Sequence, residues 1–118
     1  MLFAATEDPS TDGVARLCDV DENGASRNVT DGVVRAGATP GEPTEPLVDL
    51  WSTSIVFRAG HRIRVQVTSS NFPRSNRNVN RRTGAGGTSA RAARAARQQV
   101  FHDPVRPLRM VLSVVPRA

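Results

Sequence analysis

An all-β fold, a β-sandwich, is what this 118-residue sequence predicts. Three observations lead there. Residues 61–69 alternate apolar and polar side chains with the period of two that a strand requires. Turn signals recur at short intervals, supported by nine Gly and eight Pro. No stretch pairs a long helical period with large apolar anchors. Hydrophobic residues are 38% and aromatic residues 4%, so the core must be built from Val, Leu, Ile and Ala, and it will be thin. A chain this long holds one small domain.

Residues 13–20 alternate loosely and run into Asp21-Glu22-Asn23-Gly24, where Asn-Gly tolerates the positive φ of a hairpin turn. A strand over 25–29 should return from it. Thr30-Asp31-Gly32 reads as a second turn, with Val33-Val34-Arg35 resuming a small meander. Residues 37–46 hold three Pro and form a loop, because proline cannot donate to a ladder. Leu47-Val48-Asp49-Leu50-Trp51 is predicted to be a strand, Ile55-Val56-Phe57 a short apolar continuation, and Ala59-Gly60 a turn.

From His61 onward the pattern is clearest. Ile63, Val65 and Val67 point one way; Arg62, Arg64, Gln66 and Thr68 point the other. Residues 71–88 read as loop. Residues 89–99 contain an Ala-Arg run of good helix formers with no large apolar residue to dock it, so residues 75–97 are expected to be a variable loop or frayed helix. A strand is predicted near Gln99-Val100-Phe101, a break at His102-Asp103-Pro104, and a final strand over 108–115.

Charge is unevenly distributed. Residues 1–50 carry ten acids and three Arg; residues 51–118 carry thirteen Arg and one acid, Asp103. The halves can interleave as strands and neutralise each other across a sheet, or the basic half can face a polyanion. All 16 basic residues are Arg and none is Lys, a bias more in keeping with a GC-rich coding sequence than with selection by a nucleic-acid partner. The seven Arg within 74–97 form the one binding feature of note. No aromatic stacking platform accompanies them, which weighs against nucleic acid as a partner.

The residues that could carry chemistry do not assemble into a motif. No Gly-x-Ser-x-Gly elbow occurs. Cys18, His61 and His102 lie far apart and lack zinc-ligand spacing. His102 beside Asp103 is the composition of a strand-end turn. Gly84-Ala85-Gly86-Gly87 lacks the Lys-Ser/Thr ending of a phosphate loop. No catalytic, cofactor-binding or metal-ligating residue is therefore assigned, and no cofactor is expected. A single cysteine, no signal peptide and no apolar run long enough to span a membrane favour a reducing, cytoplasmic setting as the expectation.

The segment Leu47-Val48-Asp49-Leu50-Trp51-Ser52-Thr53-Ser54 leads into Val56-Phe57-Arg58-Ala59-Gly60-His61-Arg62-Ile63-Arg64-Val65-Gln66-Val67, then Ser69-Ser70-Asn71-Phe72-Pro73-Arg74. Together with Asn28-Val29-Thr30-Asp31-Gly32 upstream and Gln99-Val100-Phe101-His102-Asp103-Pro104 downstream, it resembles the C-terminal non-catalytic domain of the Xaa-Pro dipeptidyl-peptidase and cocaine esterase family of serine hydrolases. The resemblance implies a jelly-roll sandwich packed on an α/β-hydrolase domain that carries the Ser-His-Asp triad; none of the triad falls on this chain. It departs from the family at Ser52, Leu108 and Ser113, where Pro, Ser and Pro are usual. It also implies early strands that would precede Met1. The expectation is thus a single partial domain over 1–118, inactive alone, partnered in cis by a hydrolase domain and open to self-association along an uncovered edge. A free-standing basic module that binds nucleic acid or another polyanion is the alternative.

Overall fold

The computed structural model describes residues 3–6, 10–37, 41–70, 95 and 97–116. Among them there is no helix. Five strands form: β1 (Phe3–Thr6), β2 (Ser10–Val20), β3 (Ser26–Gly37), β4 (Arg62–Thr68) and β5 (Gln98–Phe101). They make two antiparallel sheets, one of three strands in the order β3-β2-β4 and one pairing β1 with β5. The fold is all-β, in keeping with a β-sandwich.

The core is built around β2, the central strand of the larger sheet. Val14, Leu17 and Val20 are almost fully buried, flanked by Ala15 and Cys18 on the same strand. Burying a Val or Leu side chain contributes roughly 2 kcal/mol. Most of the apolar stabilisation thus comes from one strand shielded on both faces. Asp12 and Asp31 are buried with it. In the β2–β3 ladder Arg16 faces Asp31 and Asp19 faces Arg27. Opposite charges directly across a ladder favour this register. On its other edge β2 pairs along Val14–Val20 with β4, so a strand of the acidic half lies against a strand of the basic half.

Several expectations need correction. Thr30-Asp31-Gly32 is not a turn: β3 runs through it unbroken to Gly37. The register shifts between Leu17 and Cys18, which leaves Val29 as the extra residue of a bulge. Gly32 is glycine because another backbone lies on it. A Cβ there would meet the carbonyl oxygen of Asp49 and come within 2.9 Å of Val48 Cγ1. Residues 47–51 and 55–57 are not strands; the former cross β3 as irregular backbone. Residues 108–115 are not a strand either, and Val111, Val114 and Val115 are more than 80% exposed. An apolar pattern becomes a strand only where a neighbour offers a ladder. Among the described residues there are thus five strands. β1 was not foreseen, since four residues are too few to show a period; it pairs Phe3 with Phe101 and Thr6 with Gln98.

Other expectations hold. The hairpin at 21–24, the turn at Ala59-Gly60 and the alternating strand β4 are present, and β5 overlaps the predicted segment. Gln98 and Gln99 belong to β5, which trims the predicted Ala-Arg helix at its end. Most of the predicted 75–97 loop or helix lies outside the described residues.

Candidate functional site

Two turns lean on each other at one end of the larger sheet. The first is the β2–β3 hairpin. Asp21 Oδ1 accepts hydrogen bonds from the backbone N–H groups of Asn23 and Ala25, both at 2.9 Å. Gly24 turns the chain at φ 86° and donates to the Asp21 carbonyl. This is the side-chain-to-backbone bonding for which Asp is selected in turns. The second turn leads into β4. His61 N–H donates to the Arg58 carbonyl at 3.1 Å, and Gly60 adopts φ 82°. Gly60 lies so close to Glu22 that a Cβ would strike its carboxylate.

Between the turns lies a cleft of about 450 Å³ whose walls include Asp19, Asp21, Glu22, Arg27, Arg58 and His61. His61 Nδ1 bonds Asp19 Oδ1 at 2.9 Å, with both side chains largely shielded. A histidine oriented by a carboxylate is two-thirds of a nucleophilic triad. Among the described residues that line the cleft there is no Ser, Thr or Cys. Its chemistry is ion pairing and hydrogen bonding, and its evident work is to tie the start of β4 to the end of β2. Gly60 and His61, within the run 58–62 that carried the resemblance, thereby acquire structural reasons.

His102-Asp103 separates in the structure. Asp103 Oδ1 accepts from the N–H groups of Val105 and Arg106, and Oδ2 pairs with the Arg106 guanidinium at 2.8 Å. That guanidinium stacks on Phe101, 3.9 Å from the ring centroid. The knot closes the end of β5, and His102 is exposed beside it. The Arg106 backbone N–H first, and its guanidinium second, hold the Asp103 carboxyl below its ordinary value of 3.8. A lowered carboxyl stabilises the fold above pH 3.8, and that contribution disappears as pH falls through the lower folded value. An NMR titration should place the Asp103 midpoint below 3.8, moving back toward it in Arg106→Ala. A midpoint at or above 3.8 in the unsubstituted chain would contradict the knot.

Cys18 is buried in β2, its Sγ 3.9 Å from Gln66 Oε1. Among the described residues no group of three or more His, Cys, Asp or Glu could hold a metal ion. The His61–Asp19 pair escaped sequence reasoning. Its members are 42 residues apart, and only the β2–β4 register, which sets Asp19 opposite Ile63, brings them together.

Comparison with known proteins gives two findings. Residues 1–109 match the family described as X-Pro dipeptidyl-peptidase C-terminal non-catalytic domain. The chain is also similar to the cocaine esterase of Rhodococcus sp. (strain MB1 Bresler), 35% identical over 130 aligned positions that cover 98% of this chain and 22% of the esterase. The chain therefore spans about a fifth of that relative's length.

Proposed function

The chain belongs to the X-Pro dipeptidyl-peptidase C-terminal non-catalytic domain family, and from that premise we propose that it is the accessory β-sandwich of a serine hydrolase, packing beside an α/β-hydrolase domain and shaping the rim of its pocket. The observation that carries this reading is the apolar surface left open. Leu47, Trp51, Val56, Val105, Val111 and Val115 are each more than two-thirds exposed, and all lie in ladder-free segments. A thin-cored domain that leaves this many large apolar side chains in water carries surface suited to a neighbour. The larger region that accompanies the matching domain in the relative is a neighbour of the right kind.

The contribution to catalysis is mechanical. Among the described residues that line the cleft, the His–Asp pair has no nucleophile beside it. The purified chain should hydrolyse neither p-nitrophenyl esters nor an Xaa-Pro chromogenic dipeptide above background. Turnover abolished by substituting one residue of this chain, His61 foremost, would overturn the proposal.

A further inference from the structure

The only tryptophan of the chain is 77% exposed and its backbone sits at φ 62°, the sole non-glycine residue among those described with a positive φ. Both facts run against expectation. Tryptophan is highly buried on average, and a bulky residue in the left-handed region is a genuine outlier. The conformation is nevertheless fixed from several sides. Asp49 Oδ1 accepts the Trp51 N–H at 2.8 Å. The Leu50 carbonyl accepts from Thr30 Oγ1 at 2.6 Å, and the Asp49 backbone is pressed onto Gly32 of β3. Two residues of β3 thus pin the three that precede and include the tryptophan. Strain that the surroundings over-determine clusters at ligand clamps and other functional sites.

We infer that Trp51 is the anchor by which the sandwich docks onto its hydrolase domain, its indole filling an apolar pocket there. The inference rests on the packing role proposed above. Buried tryptophans are the commonest strong anchors of protein interfaces, and the energy of such interfaces concentrates in a few side chains. The strained turn aims the ring outward, and its pinning to β3 spares the interface the entropy of ordering it.

The test compares the isolated chain with the Rhodococcus cocaine esterase whose matching region has been replaced by this chain. In the isolated chain, Trp51→Gly removes both the strained φ and an exposed ring, and should raise the melting temperature by about 4 °C. Trp51→Ala, which keeps the strain, should leave it unchanged. In the swapped esterase both substitutions should lower the melting temperature by several degrees and shorten the half-life of turnover, while Trp51→Phe retains most of both. Equal behaviour of Trp51→Ala and the unsubstituted swap would overturn the anchor and leave the packing role standing. A lower melting temperature for isolated Trp51→Gly would show that the ring serves this chain's own fold, and would overturn it too. A swapped esterase no more stable than one lacking the region altogether would sink the packing role and the anchor together.

Discussion

Replacing Gly32 with alanine should destabilise the isolated chain by about 3 kcal/mol, the upper end of ordinary overpacking costs, and lower its melting temperature by on the order of 12 °C. The new methyl group would land on the Asp49 carbonyl oxygen, a backbone atom that cannot swing aside as a long side chain does. To make room, residues 48–50 must lift from β3, which costs the hydrogen bond from Thr30 Oγ1 to the Leu50 carbonyl. Gly13 on the adjacent strand is the control. A Cβ there meets Val34 Cγ1 at 3.4 Å, an ordinary contact, and alanine is better suited than glycine to a strand interior. Gly13→Ala should therefore be neutral within about 0.5 kcal/mol. Urea titration of both variants checks the pair. Equal midpoints would mean that residues 48–50 do not lie on β3 as described.

The fold was legible where a local pattern and its tertiary environment agree. β4 shows its period because Val65 and Val67 are partly shielded between the exposed Arg64, Gln66 and Thr68, while Ile63 on their face is exposed. The hairpin shows itself because Asp21 and Gly24 both act within five residues. Legibility failed where one residue type serves two purposes. Glycine marks turns, but Gly32 marks a place where two backbones touch, and nothing within Thr30-Asp31-Gly32 distinguishes the cases. It failed again for residues 47–51 and 108–115, whose apolar runs look like strands. The first is held by single contacts to β3, and the second leaves Val111, Val114 and Val115 in water. An apolar run reports a need for burial, not who supplies it. The same limit hid the cleft: His61 and Asp19 each look ordinary in sequence, and only the antiparallel register of β2 with β4 makes them a pair.

Residues 58–61 tie the start of β4 to the end of β2 through Gly60 and His61, while residues 47–56 and 105–115 leave large apolar side chains exposed. If the sandwich supports a catalytic domain as proposed above, removing it should cost activity even though no reacting group is lost.

The most direct measurement is ester hydrolysis by three forms of the Rhodococcus cocaine esterase: intact, lacking the region that this chain matches, and with that region replaced by this chain. The shortened form should lose at least about 100-fold in turnover, the scale of loss expected when positioning of the reacting groups fails. The swapped form should recover most of that loss and melt in a single cooperative transition. A shortened esterase as active and as stable as the swapped one would show that the sandwich supports nothing, and would contradict the account at its centre.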